Sequence, residues 1–260
     1  MQEQTNYAEI LHARKFDYKN NIAPDRIYFT VENGVDDPAV IGTAGNFVAV
    51  TGLPKARKST VVAAMVASYI TGKPVYTFSL KIFKDKNHIA VFDTEQSPYD
   101  FNRQINTIEK LTGYSKADIF TFVDAYMMRE DDPDVILKLI NEYLKQNENV
   151  GILIIDGLLD LIENMNDEGA SKRLIRLLKR WAKKHDILII TVLHLGKKDQ
   201  TSIGHIGSAS DRYAQSTLIV EKTKEGDTTI SAKYLRSAKD FETVQIHWDP
   251  NNKKYIQLKP

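Results

Sequence analysis

Gly52-Leu53-Pro54-Lys55-Ala56-Arg57-Lys58-Ser59-Thr60 follows the apolar run Phe47-Val48-Ala49-Val50 and leads into Val61-Val62-Ala63-Ala64-Met65-Val66-Ala67. The order is strand, tight loop, helix. The loop departs at one position from GxxxxGK(S/T), whose backbone amides wrap a polyphosphate. Arg57 stands where the second glycine is expected. In such a loop consecutive N–H groups point inward, and the N-terminus of the next helix adds partial positive charge. Gly52, Leu53, Pro54, Lys55, Ala56, Arg57, Lys58, Ser59 and Thr60 are therefore candidate nucleotide contacts. Lys58 is expected on the β- and γ-phosphates of ATP, the Ser59 hydroxyl on Mg²⁺, and Thr60 as a cap of the helix. A side chain at a left-handed position costs roughly 1–2 kcal/mol, so Arg57 either carries that strain or shifts the loop. Lys55 and Arg57 are expected to place two further cations beside the phosphates. A chance match in a basic turn, or a loop that binds without hydrolysing, are the competing readings.

The rest of the chain supplies a frame for that loop. From residue 45, strands (47–51, 88–93, 119–123, 151–155, 187–193) alternate with helices (59–71, 98–111, 133–146, 168–185). The strands are short, rich in Val, Ile and Phe, and apolar on both faces, which suits a central parallel sheet covered by helices. Segments 217–222, 228–235, 243–248 and 254–258 alternate more strictly, with Glu225-Gly226-Asp227 as a hairpin turn, and predict an antiparallel extension. Residues 1–40 read as an N-terminal arm and 41–260 as one α/β domain. The arm either packs on the core or docks on a neighbouring subunit.

Composition narrows the function classes. The chain has 260 residues, enough for one large domain with a buried core. Its net charge of +1 argues against a wholly basic surface, so any nucleic-acid contact must be local. Cysteine is absent, which excludes disulfides and thiolate chemistry. No apolar run approaches the roughly 20 residues of a membrane span, and the polar start lacks a signal-peptide core. A cytoplasmic protein without membrane contact is expected.

Three further strands end in chemistry. Ile152-Leu153-Ile154-Ile155-Asp156 ends in a carboxylate that, downstream of Lys58, is a candidate Mg²⁺ ligand. Asp160, one turn later, is a second candidate, read as a helix or turn residue. Phe92-Asp93-Thr94-Glu95-Gln96 offers Glu95 to activate water, while Asp93, Thr94 or Ser97 caps the helix near Pro98. Val192-Leu193-His194 is either an incidental strand-end histidine or an imidazole placed where it can report a γ-phosphate. The segment from Gly196 to Ser208 is polar and glycine-bearing, and its Lys197 and Lys198 suit a phosphate backbone as well as a solvated surface. Lys233, Arg236 and Lys239 punctuate the late β region, where Arg236 is either an arginine finger for a neighbour or ordinary surface charge.

With these stations in order, the chain resembles the RecA-like P-loop ATPases, and within them the hexameric replicative helicase branch, the DnaB-like and plasmid RepA-like proteins. The resemblance covers roughly residues 30–258. It rests on the loop 52–60, the strands bearing Glu95, Asp156 and His194, the Gly207-Ser208-Ala209-Ser210-Asp211 motif, and Lys233-Tyr234-Leu235-Arg236. The loop also resembles GxPKxxKS-like loops in short ATPases of mobile elements and phages. The resemblance implies catalytic roles for Lys58, Glu95, His194 and Arg236, with Lys233 and Arg236 acting in trans on a neighbour's ATP. It implies Ser59 and Asp156 on Mg²⁺, and a DNA-binding loop over 196–207, read as taking single-stranded DNA. It implies a homo-oligomer, a hexamer in that branch. A helicase, loader or mobilisation ATPase is the expected function. The alternative is a nucleotide-gated binding or regulatory module without turnover.

Overall fold

The computed structural model describes residues 7–17, 19, 23–33, 36–196 and 203–258. A nine-stranded sheet runs through the molecule. In chain order its strands are β3 (Phe47–Gly52), β5 (His88–Asp93), β6 (Val123–Met127), β7 (Val150–Asp156), β8 (Leu188–His194), β9 (Ser216–Lys222), β10 (Thr228–Leu235), β11 (Val244–Asp249) and β12 (Lys254–Leu258). Their spatial order is β12-β11-β10-β9-β3-β8-β7-β5-β6. The six strands from β9 to β6 are parallel, and β10, β11 and β12 add antiparallel hairpins. The expected α/β architecture, a mostly parallel sheet flanked by helices with a C-terminal antiparallel extension, is thus borne out.

Both faces of the sheet are covered, which explains the absence of polar alternation in the parallel strands. On one face Val48, Val50, Ile152, Ile154 and Ile190 pack with α2 (Lys58–Thr71) and α3 (Pro98–Thr112). On the other, Phe47, Ala49, Leu153, Ile155 and Ile189 pack with α5 (Pro133–Gln146) and α6 (Glu168–His185). α2 is buried nearly all round and ends at Gly72, whose φ of 61° supplies the left-handed cap.

α6 is different. It buries Leu174, Ile175, Leu178, Trp181 and Ala182, and exposes Lys172, Arg173, Arg176, Lys179, Arg180, Lys183 and Lys184. Four like-charged pairs sit at i,i+4 (172/176, 176/180, 179/183, 180/184), a spacing that costs each pair about 0.2–0.5 kcal/mol.

Several local expectations are corrected. The strand expected over 119–123 lies at Val123–Met127, because Ser115 and Asp118 close a capping box and start α4 (Lys116–Ile119). Residues 27–40, read as part of an arm, contribute β1 (Ile27–Asn33) and most of β2 (Asp36–Thr43). These pair with β4 (Phe78–Leu80) in a separate antiparallel sheet over α2. Ahead of them α1 (Tyr7–Ala13) leaves Tyr7 and Leu11 exposed rather than packed on the core. Part of the segment read as a loop is helical: α7 (Gly204–Tyr213) packs Ile206, Gly207 and Ser210 inward beside α6. Its Gly and Ser residues are weak helix formers, and tertiary packing overrides that propensity. Residues 197–202, including Lys197 and Lys198, lie outside the described residues. Among the described residues no helix is long and apolar enough to cross a membrane.

Candidate nucleotide-binding and active site

The parallel strands bring their carboxyl ends to one edge, where an open α/β sheet binds ligands. Register places Gly52 beside His194 on one side and Val220 on the other, and Asp93 beside Asp156. The loop after β3 therefore faces the ends of β8, β7 and β5.

Arg57 takes the strained option. It is the N-cap of α2 at φ 72°, and Lys55 is also left-handed at φ 65°, with Ala56 between them. Such alternation turns successive N–H groups to one side and forms an anion-binding concavity. No side chain caps α2, Thr60 included, and while the Thr60 N–H donates to the Arg57 carbonyl, the amides of Lys58 and Ser59 remain open to a ligand. Gly52 is required for another reason: a Cβ there would lie 2.3 Å from the Val220 carbonyl oxygen.

The Arg57 guanidinium does not join the loop interior. Its Nη1 donates to the Gly226 carbonyl at 2.6 Å and to Thr228 Oγ1 at 3.0 Å, and its carbon lies 5.2 Å from the Tyr255 ring centre. The expected second cation beside the phosphates is thus drawn toward the C-terminal hairpins, and Lys55 is exposed. These contacts offset the cost of the left-handed backbone. Arg57→Gly and Arg57→Ala both remove them, but only alanine keeps the strain. The alanine variant is expected to be less stable than the glycine variant by about 1 kcal/mol, a melting difference of roughly 2–4 °C. Equal melting temperatures would refute the strain.

Lys58 is buried and uses all three protons: Gly52 O at 3.0 Å, Leu53 O at 3.2 Å and His194 Nδ1 at 2.9 Å. An ammonium only donates, so His194 Nδ1 accepts, and Nε2–H donates to Glu95 Oε2 at 3.0 Å. Lys58, His194 and Glu95 form one chain across three strand ends. Burial lowers the Lys58 pKa, opposed by Glu95 and Asp156. Burial pushes Glu95 up, but the hydrogen bond from His194 and the charge of Lys58 outweigh it and hold the carboxyl below its usual range.

Asp156 is buried at the end of β7. Burial, then the charges of Asp93 and Glu95, raise its pKa to about 7 against the pull of Lys58 and Gln96. Asp93 is also raised, chiefly by burial. Gln96, absent from the sequence-based assignments, ties the two together. Its Nε2 lies 2.6 Å from Asp93 Oδ2, 3.2 Å from Asp156 Oδ2 and 3.1 Å from Gln104 Oε1. Gln104 Nε2 in turn donates to the Ser59 carbonyl at 3.3 Å. Ser97 is the cap of α3, accepting from Asp100 N. Thr94 Oγ1 lies 2.7 Å from Asp160 Oδ2 and pins the ends of β5 and β7.

Two carboxylates, Glu95 and Asp156, act on one buried lysine, with Asp93 beside Asp156, and a divalent cation fits that charge imbalance. Among the described residues no three or more His, Cys, Asp or Glu converge to hold a metal alone. A bound Mg²⁺ would keep several waters and use phosphate oxygens, as this ion prefers, with Ser59 and Asp156 as the protein's share. Asp156 protonates in the folded chain below about pH 7, and in an unfolded chain only below about pH 4. Between these values the folded state holds more protons, so stability falls as pH rises. Asp156→Asn removes that loss, and its melting temperature is expected to exceed wild type by about 3 °C or more at pH 8 and to converge on it near pH 4.

Arg236 and Lys233 lie elsewhere. Leu235 pairs with Ser216, which pairs with Val48, four residues before Gly52. At about 3.3 Å per residue this places Arg236 some 13–16 Å along the sheet from its own loop. Lys233 Nζ bonds Asp211 Oδ2 at 2.8 Å, linking the two sequence motifs within one chain. Beside the loop, a cavity of about 640 Å³ opens between the start of α2, α3 and the β11–β12 hairpin, lined in part by Arg57, Thr60, Arg103, Thr107, Trp248 and Tyr255.

Sheet order, an uncapped helix behind the loop, and Lys58, Glu95, Asp156 and His194 at one edge define a RecA-like P-loop ATPase domain. Residues 40–200 match the AAA domain family, and the chain belongs to it. No curated protein matches the chain. Among solved structures it is similar to the RadB recombinase, at 12% identity and a TM-score of 0.57, over 83% of this chain and 92% of that one. At that identity the likeness shows the fold.

Proposed function

We propose that this chain is an ATP-hydrolysing motor acting on DNA, with its ATP site completed by a neighbouring subunit. The observation that carries the reading is the Lys58–His194–Glu95 chain beside Asp156. Lys58 exchanges the Gly52 and Leu53 carbonyls for the β- and γ-phosphates, and the loop amides and the start of α2 hold the rest of the triphosphate. The cavity between α3 and the β11–β12 hairpin, beside Trp248 and Tyr255, takes the nucleoside. Ser59 and Asp156 would hold Mg²⁺, which when bound would supply neutralisation of the phosphate oxygens. Glu95 accepts the proton of the attacking water as its oxygen bonds the γ-phosphorus and ADP leaves. His194 loses its Lys58 partner when the phosphates arrive, which is how it senses them. Arg236 cannot reach its own loop, so it acts on a neighbour's. The exposed Tyr7 and Leu11 of α1 support assembly with a second copy. Single-stranded DNA is proposed at the segment 196–207, of which Gly196 and residues 203–207 are described.

Phosphate release with and without single-stranded DNA, at several protein concentrations, tests the reading. Stimulation by DNA, a specific rate that rises with concentration, and loss in Lys58→Ala are expected. Lys58→Ala hydrolysing at the wild-type rate would sink it. A second reading, nucleotide gating without turnover, is favoured by the full engagement of Lys58 with protein acceptors. It predicts stoichiometric ATP binding and no phosphate release under any of these conditions.

A further inference from the structure

We propose that the exposed face of α6 is a second nucleic-acid surface, one that holds the phosphate backbone of duplex DNA without reading its sequence. It is distinct from the segment 196–207 and does not depend on ATP hydrolysis.

Charge concentration is the first observation. Seven of the chain's 35 lysines and arginines, and one of its 34 acids, lie in the 18 residues of α6, so the remainder of the chain is net negative. All seven cations are exposed. Lys172 is paired with Glu168 at 2.5 Å, and Arg173 lies near Asp167. Among the described residues, Arg176, Lys179, Arg180, Lys183 and Lys184 make no ion pair with a carboxylate. Helix-solvating surfaces alternate their charges to gain i,i+4 pairs. This one repeats a single sign, which a polyanionic partner would reward.

Geometry points to a rigid duplex. From Lys172 to Lys184 the stripe runs about 18 Å at 1.5 Å per residue along one exposed helix face. Duplex DNA presents one charge per roughly 1.7 Å of axis, so a straight row of cations meets several phosphates at once. Single strands are held in grooves floored with stacked aromatics. Here the exposed aromatic beside the stripe is Tyr213 of α7, with Lys179 Nζ 5.7 Å from its ring centre.

Other partners fit less well. A membrane-surface helix buries its apolar side in lipid, but Leu174, Ile175, Leu178 and Trp181 are in the core. A protein partner would need an apolar anchor at the centre of the patch, and the exposed positions there are Lys and Arg.

Position ties the stripe to the motor. His205 N donates to the Met165 carbonyl at 2.9 Å, so α6 and α7 begin side by side. The stripe then runs from that point toward the opposite end of the sheet. A duplex on α6 would therefore present its end to residues 203–207, the described part of the segment proposed for single strands.

Fluorescence anisotropy of the full chain, without nucleotide, tests this with a mixed-sequence duplex of about 20 base pairs at roughly 50–200 mM KCl. Arg176→Gln/Arg180→Gln/Lys183→Gln is expected to weaken binding and to make the log–log salt slope shallower by roughly 2–3, near 0.9 for each phosphate no longer neutralised. The loss should be equal on an unrelated duplex. Arg176→Lys/Arg180→Lys should keep the wild-type slope, because lysine still neutralises phosphate. A melting temperature at or above wild type shows that the triple variant is folded. Unchanged affinity and slope in that folded variant would overturn the proposal. So would absence of duplex binding in wild type, a larger α6-dependent loss on single strands than on duplex, or an α6-dependent loss seen only with phosphatidylserine vesicles. The ATPase reading fails separately: Lys58→Ala should bind duplex as wild type does, and the α6 variant should keep its DNA-free hydrolysis rate.

Discussion

Glu95→Gln is expected to slow ATP hydrolysis by about 10²–10⁴-fold while leaving nucleotide affinity within roughly threefold. The amide keeps the shape of the side chain and still accepts from His194 Nε2, so the Lys58–His194 link persists. It cannot take a proton from water. Glu95 is suited to that task because His194 and Lys58 hold its carboxyl ionised despite burial. Removing the negative charge also relieves Asp156, whose pKa is raised in part by Glu95. Mg²⁺-dependent nucleotide binding in Glu95→Gln should therefore persist to lower pH than in wild type. Single-turnover phosphate release separates the chemical step from binding. A Glu95→Gln protein that hydrolyses at close to the wild-type rate would remove Glu95 from the reaction and move the search for a base to its neighbours.

The second large effect is expected at Arg236. If the guanidinium enters a neighbour's site, Arg236→Ala should lose about 10³–10⁵ in turnover with intact nucleotide binding. Subunit mixing distinguishes this from a local fault. Lys58→Ala and Arg236→Ala proteins are each inactive. A random mixture restores about a quarter of the interfaces, those that combine an intact Lys58 with a neighbour's intact Arg236. Recovery on mixing supports action in trans. No recovery in a mixture shown to co-assemble would reject it. The distance along β10 makes action in cis unavailable, since the strand carries Arg236 away from Gly52 rather than toward it.

Much of this is legible in the chain alone. Two-sided apolar strands announce a covered parallel sheet, and stricter alternation after residue 215 announces the antiparallel hairpins. The order loop, Glu95, Asp156, His194 places four polar tips on strand ends, and parallel strands bring such tips to one edge. Less visible are features made by residues distant in sequence. Nothing near Arg57 indicates that Gly226, Thr228 and Tyr255 draw its guanidinium away from the loop. Gln96 reads as an ordinary polar residue until the sheet sets Asp93 beside Asp156. Helix α7 is hidden because its Gly and Ser residues disfavour a helix that only packing on α6 stabilises.

The sequence by itself determined the strand and helix periods, the polyphosphate-type loop, and which side chains end at the carboxyl edge of the sheet. These depend on spacing along the chain, and backbone geometry translates spacing directly into place. Only the tertiary structure decided the direction of Arg57, the raised proton affinity of Asp156, the separation of Arg236 from its own loop, and the one-signed face of α6. Each of those depends on what a neighbouring strand or helix leaves buried, paired or open to water.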